Sequence, residues 1–313
     1  MNTHGAGGTA RQLGLVTPPP QNVDADVVIA PPVQVAVQDS LGKTVTSARD
    51  TVTLALGAPS TGAGLAGTTT VVTVDGIATF ADLRVDRPGT YTLVATARRL
   101  AAATSASFAV RLTFAALSAG GSHTCALTRR GLAYCWGSNG DGRLGDGTML
   151  SRPEPGLVAG VSDIAAVSAG ARHACAVTTG GSAYCWGANG AGQLGDGTTT
   201  SRAIPVPVSG GLAFAVLDGG GGHSCGVITS GASYCWGDNT YGQLGDGTGT
   251  GRTNPAAVAD HLEFVSVSAG LGHACGLTPR GTAYCWGRND SGQLGDGNTT
   301  ASALPVPVQQ ESR

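Results

Sequence analysis

Lysine is almost missing from this chain. Lys43 is the single one, and Asp, Glu, Lys and Arg together make up 12% of the 313 residues, about half the usual share. Helices place charged straight-chain residues on their wet face and avoid glycine, so this composition excludes a largely helical fold. The formal net charge is −2. With no basic stripe to neutralise phosphates, nucleic-acid binding is excluded as well. No apolar run approaches the roughly 20 residues of a membrane helix, so membrane insertion is not expected. Cysteine is absent before Cys125, and whatever folds there must hold by packing alone. No Ser-His-Asp pattern stands out and no pair of acids suits a glycosidase. The expectation is a protein that is not an enzyme, with no catalytic residues, no cofactor and no metal.

What the chain has is glycine, 51 residues of it, with 41% hydrophobic residues. That balance describes an all-β chain with many tight turns. Residues 1–23 are rich in Gly, Thr, Pro and Gln and read as a disordered or extended linker. From 24 to 110, runs such as VQVAVQD, TVTLAL, IATFADL and TYTLVATA alternate apolar with polar residues. Turn signals separate them, among them Asp75-Gly76, and six or seven strands in this span predict a β-sandwich. Its expected core is Val35, Val37, Val52, Leu54, Leu56, Phe80, Leu83, Tyr91, Leu93 and Phe108. The stretches VQVAVQDSLGKTV, TVTLALG, DGIATFADLRVDRPGTYTLVATA and SFAV resemble the bacterial immunoglobulin-like modules of surface and secreted proteins. In that family such modules are mostly spacers or adhesion units.

From about Leu112 a repeat takes over. His123, His173, His223 and His273 are fifty apart, and Trp136, Trp186, Trp236 and Trp286 keep the same step. So do the blocks LGDG beginning at Leu144, Leu194, Leu244 and Leu294. A constant period without insertions means one supersecondary unit repeated. Each copy holds four short strand candidates, the cadence of a propeller blade. The pattern SAG…H…CALT…G…YCWG.N..GQLGDGT…P resembles the regulator of chromosome condensation repeat over 112–308, leaving a tail at 309–313. Arg143 departs from it, standing where the other copies have Gln193, Gln243 and Gln293.

The stretch HTCALTRRGLAYCWG, His123 to Gly137, reads as a hairpin closed by a three-residue loop ending in Gly131, with glycine in the left-handed conformation. In that register Cys125 faces Cys135, Ala126 faces Tyr134, Leu127 faces Ala133 and Thr124 faces Trp136. Each bulky residue meets a small one. Opposed cysteines lie within disulfide reach, so the expected bridges are Cys125–Cys135, Cys175–Cys185, Cys225–Cys235 and Cys275–Cys285. Buried free thiols are the next reading. A metal site of His123, Cys125 and Cys135 is a third, but it lacks the C-x-x-C spacing of zinc pairs. The block NGDGRLGDG lacks the acid spacing of a calcium loop and reads as a glycine turn, with Asp146 bonding its own backbone. The four histidines read as a structural, hydrogen-bonded corner between strands.

Positions that vary between otherwise fixed copies are the candidates for binding. Arg129 and Arg130 sit at a hairpin tip, and Tyr241 and Arg288 follow the tryptophans; both of the latter are hot-spot residue types. Paired cysteines confined to one repeat point to an oxidising compartment, hence to the cell surface or the secreted fraction. No secretory signal follows Met1, which suggests part of a longer chain. The resemblance implies a non-enzymatic binding or adhesion protein whose propeller loops hold a protein or glycan. The alternative is guanine-nucleotide exchange on a small GTPase, the best-known activity of that family. The unbroken fifty-residue step leaves no room for the wedge such exchange factors insert. Propellers of that family have seven blades and this chain has four. A partial or open propeller is therefore expected, with self-association among the ways to complete it.

Overall fold

The computed structural model describes residues 8–57 and 62–309. The expected lead-in at 1–7 and the tail beyond 309 lie outside them. The chain divides into two units, Met1–Thr113 and Phe114–Arg313. No helix of the described residues is long and apolar enough to cross a membrane.

The first unit is built of short strands. Gln12–Thr17, Val33–Gln38 and Ile77–Phe80 form one sheet, and Ala103–Thr104, Leu93–Ala97, Thr51–Leu56 and Thr70–Val72 form another. A third sheet joins Asn22–Asp24, Phe108–Arg111 and Gly89–Tyr91. Alternation along these strands sends Val35, Val37, Val52, Leu54, Phe80, Leu93 and Phe108 into a single buried cluster. Leu83 and Tyr91 join it, while Leu56, at the end of its strand, is only partly buried. Asp75 and Gly76 both take positive φ, as a two-residue hairpin requires. The linker expected at 1–23 is corrected over its second half. Gln12–Thr17 pairs antiparallel with Val33–Gln38, Asn22–Asp24 pairs with Phe108–Arg111, and Leu13 is buried in the core. Leu13 and Leu15 alternate with polar or small neighbours, a weak strand signal that the flanking prolines and glycines obscured.

The second unit holds four sheets of four strands, each an up-and-down meander in sequence order. In the first these are Phe114–Ala119, His123–Thr128, Ala133–Gly137 and Arg152–Leu157. The hairpin register is as expected in every copy: Cys125 faces Cys135, Ala126 faces Tyr134 and Thr124 faces Trp136, with the same pairs fifty, one hundred and one hundred and fifty residues on. Gly131 closes the first loop at φ 72°.

Successive blades stack face to face. One face of each blade carries its cysteines and Leu127 or its counterpart; the other carries the tryptophan. Cys125, Leu127 and Leu144 pack against Ile164, Ala176 and Trp186 of the next blade, and the two later junctions repeat this. The indole N–H of Trp186 donates to the carbonyl of Arg143 at 3.0 Å, and Trp236 and Trp286 donate to Gln193 and Gln243. The four blades do not close a ring.

Candidate functional site

All eight cysteines are bonded within their own hairpins, Cys125 to Cys135, Cys175 to Cys185, Cys225 to Cys235 and Cys275 to Cys285. The sulfurs of the alternative metal site are thus joined to each other. Among the described residues no group of three or more His, Cys, Asp or Glu could hold a metal ion.

The repeated histidines are packing groups. A Cβ added at Gly170 would lie 2.4 Å from Cε1 of His173, and one at Gly220 would lie 2.5 Å from Cε1 of His223. The glycine three residues before each histidine exists to admit the ring. His173 Nε2 lies 2.8 Å from Ser224 Oγ in the next blade. The ring nitrogens of His123 and His223 are buried with no hydrogen-bond partner among the described residues. Of the expected hydrogen-bonded corners, only that of His173 has a side-chain partner among the described residues: the following blade offers it Ser224, where Ala174 and Ala274 take that place for His123 and His223. Burial lowers the His123 imidazole to about 4, with nearby Arg143 adding to the effect. Burial takes His173 to about 3 and His223 to about 4. All three are neutral at pH 7.

The glycine-rich block is a closed turn. Asn139 is fully buried; its Oδ1 accepts from the Leu144 amide at 3.0 Å and its Nδ2 donates to the carbonyls of Thr148 and Leu150. Asp146 accepts from the amide and hydroxyl of Thr148. Burial pushes that carboxyl up, but the Thr148 bonds and Arg152 outweigh it and hold it below the usual range. The carboxylate therefore serves its own loop.

The meander puts the remaining candidates on opposite ends of the blades. The hairpin tips, with exposed Arg129 and Arg130, lie at one end. The loops after the first and third strands lie at the other. An open depression of about 250 Å³ there is lined by Gly120, Gly170, Gly220, Gly270, Ala171 and Leu271, and at the same end the structure joins Tyr241 to Arg288. The guanidinium stands 5.4 Å from the centre of the Tyr241 ring and pairs with Asp290. Tyr241 is 44% exposed and Leu271, one residue before the Gly272 that both side chains border, is 77% exposed.

At the junction of the first two blades, Arg172 grips both oxygens of Asp141 at 2.8 and 3.0 Å, and Arg143 bonds the same carboxylate. Burial raises the Asp141 carboxyl, and the bonds from Arg172 and Arg143 more than reverse this. Arg172 and Leu271 were not among the expected site residues; they sit in one turn, Arg172 where the other copies have Ser122, Gly222 and Gly272, and Leu271 where they have Gly121, Ala171 and Gly221. The departure at Arg143 has a reason. Gln193, Gln243 and Gln293 each accept a backbone amide two residues earlier. Arginine has no acceptor, and in its copy Asp141 supplies the partner instead.

Comparison with known families agrees with this geometry. A model of the regulator of chromosome condensation (RCC1) repeat matches residues 130–177, 180–227, 230–277 and 280–313, together more than half the chain. A second model of the same repeat matches 114–143, 164–193 and 264–293. The chain belongs to the RCC1-repeat family.

No curated protein matches the chain. Among solved structures, the RCC1-repeat unit is similar to yeast RCC1 (Prp20) crystallised with Kap60, at 19% identity and TM-score 0.58, covering 71% of this chain and 57% of that one. Human WBSCR16 matches at 20% identity and TM-score 0.59, covering 80% and 68%. Prp20p from Saccharomyces cerevisiae, described with its binding to Gsp1p and histones, matches at 18% identity and TM-score 0.57, covering 71% and 61%. These identities establish the fold. This chain spans 57% of the length of the yeast protein solved with Kap60.

Proposed function

We propose that the RCC1-repeat unit is a non-enzymatic platform that holds a protein partner against the rim bearing Tyr241, Arg288, Asp290 and Leu271. The observation that carries this is the exposed Tyr241 ring with Arg288 fixed over it and an exposed leucine beside them. Tyrosine and arginine dominate binding hot spots. A guanidinium held by a carboxylate and a ring loses little freedom on binding. The scaffold beneath is occupied with its own packing: the bridged cysteines, His123, His173 and His223, and Trp186, Trp236 and Trp286 are used in it, and the rim positions are where the copies differ. That Prp20p is described with protein partners supports a binding role.

The four bridges favour an oxidising compartment, so the reading extends to the cell surface or the secreted fraction. The first unit acts there as an immunoglobulin-like spacer. Its alternating strands support this, as does the Tyr91 hydroxyl donating back to the Pro88 carbonyl at 3.1 Å, the kind of tie found at tyrosine corners of such sandwiches.

The test is to probe a displayed peptide library and a glycan array with the full chain, then with Tyr241→Ala/Arg288→Ala and with Arg129→Ala/Arg130→Ala. Peptide ligands whose binding falls about tenfold or more in the first variant and holds in the second support the rim. Loss in the second variant alone would move the site to the hairpin tips, and glycan ligands alone would replace protein as the partner. Accelerated nucleotide release from a small GTPase would restore the exchange reading.

A further inference from the structure

Strand edges are treated differently in the two units. In each blade the outermost strand bonds inward through alternate residues. Gly156, Val206, Ala256 and Val306 lie opposite Cys135, Cys185, Cys235 and Cys285, and Val158, Val208, Val258 and Val308 donate to the carbonyl two residues before those cysteines. The residues that alternate with these face outward, and at Pro155, Pro205, Pro255 and Pro305 the outward residue has no N–H to offer. Proline there denies a foothold to another strand.

The first unit leaves an edge without that protection. Leu54 donates to the Thr69 carbonyl and Thr73 to the Asp50 carbonyl, with Val71 opposite Val52 between them. Residues 69, 71 and 73 therefore bond the neighbouring strand, and the N–H and C=O of Thr70 and Val72 point the other way. Along Ile77–Phe80, Val37 donates to the Gly76 carbonyl and Val35 lies opposite Ala78, so Thr79 also points away from its sheet. The two strands leave the Asp75-Gly76 turn as a hairpin. Val74 and Ile77 exchange bonds of 2.9 and 3.0 Å, and there the pairing stops, because Thr70–Val72 joins one sheet and Ile77–Phe80 another. The next pair, Val72 with Thr79, is not made. Where the strands part lies an open groove of about 500 Å³, lined by Val71, Val72, Val74, Ile77 and Thr79, with Asp75 at the turn. Val72 is 54% and Val74 69% exposed.

We propose that this groove takes an extended segment of a protein partner as an added strand. Its backbone bonds the outward groups of Thr70 and Val72, and its β-branched or aliphatic side chains cover Val72, Val74 and Ile77. Among the residues lining the groove only Asp75 is charged. Its side chain is 82% exposed, and Arg49 stands 3.7 Å away as a loose ion pair. The segment therefore carries lysine or arginine at the end that lies over the turn, and no acid there. A second copy pairing through the same edge would bring Gly67, Thr68 or Thr69 over Asp75, which supplies no cation. The groove is independent of the rim at Tyr241.

Selection of a displayed library of random seven-residue peptides on the full chain tests this. A class is expected with Val, Ile or Thr at alternate positions and Lys or Arg at one end. Val72→Lys puts a charge on the edge. Val72→Pro removes the outward donor and no bond to the neighbouring strand, as proline does in the blades. Position 72 is exposed, and circular dichroism verifies the fold of both variants. Each should weaken these peptides about tenfold, while Tyr241→Ala/Arg288→Ala leaves them unchanged. Asp75→Asn, a residue that tolerates the φ of 51° found there, should bind the class but lose most of its preference for lysine over glutamate at that end. Amide exchange gives a readout of the pairing itself: bound peptide should slow the Val72 N–H and leave that of Val71, already bonded to Val52, as it was. Absence of such a class, affinity unmoved by both Val72 variants, or an unprotected Val72 amide overturns the proposal. So does a dimer of the chain alone that Val72→Lys abolishes, which would give the edge to a second copy.

Discussion

The two units solve the problem of holding β-strands together in opposite ways. The first gathers its apolar side chains into one cluster, from Leu13 to Val110, with no cysteine and no buried tryptophan. The second has three smaller clusters, each shared by two blades, and a sulfur bridge inside every blade. A blade is one sheet thick and cannot surround a core of its own. Its apolar faces are covered only by its neighbours, and a covalent staple compensates for what a thin sheet lacks. The second design makes every blade depend on the blades stacked against it.

The contrast can be broken most severely by reduction. Each hairpin bridge contributes up to about 3 kcal/mol in the chain-entropy model. Reductant should therefore lower the unfolding free energy of the second unit by several kcal/mol in total, moving its denaturation midpoint down while leaving the first unit's transition in place; two transitions followed by circular dichroism would show it. Acid comes next. Unfolded histidines titrate near 6.5, but His123, His173 and His223 are pushed to about 4, 3 and 4 when folded. Between those values the unfolded chain binds more protons. The stability is present above pH 6.5 and is lost as pH falls toward 4, by on the order of 10 kcal/mol over the three. The first unit has no histidine among its described residues and should lack this phase.

Phe80→Ala reverses the target. It opens a cavity in the single core and should lower the first unit's stability by about 3–5 kcal/mol, with the second unit's melting unchanged. The smallest effect sharpens the comparison within the repeat. Arg143→Gln restores the residue of the other three copies, and Asp141 keeps Arg172. The expected change is within about 1 kcal/mol, read from the denaturant midpoint.

Much of this architecture was readable along the chain. The core of the first unit follows from period-two alternation, which sends Val35, Val37 and Phe80 to one side whatever the sheet order. The hairpin register at Cys125 and Cys135 follows from loop length and side-chain volume, both local. The strand at Gln12–Thr17 was not readable, since its partner Val33–Gln38 lies beyond a proline-rich turn and its own pattern is short. Nor was the clasp of Arg172 on Asp141, 31 residues apart, because pairing across blades has no signature in sequence spacing.

The repeating unit could be read from residue order alone: a fifty-residue meander whose cysteine pairs and hairpin turns are satisfied inside one copy. Only the tertiary structure decided why the tryptophan and the LGDG glycine recur together. Within a copy they are nine residues apart and do not need each other; it is the indole of the following blade that lies on that glycine and bonds the carbonyl two residues before it. Local geometry is fixed by short-range sterics and hydrogen bonds, which a sequence displays. The pairing of faces depends on which surfaces are left to bury once the local structure has formed, and that is settled only when the blades are stacked.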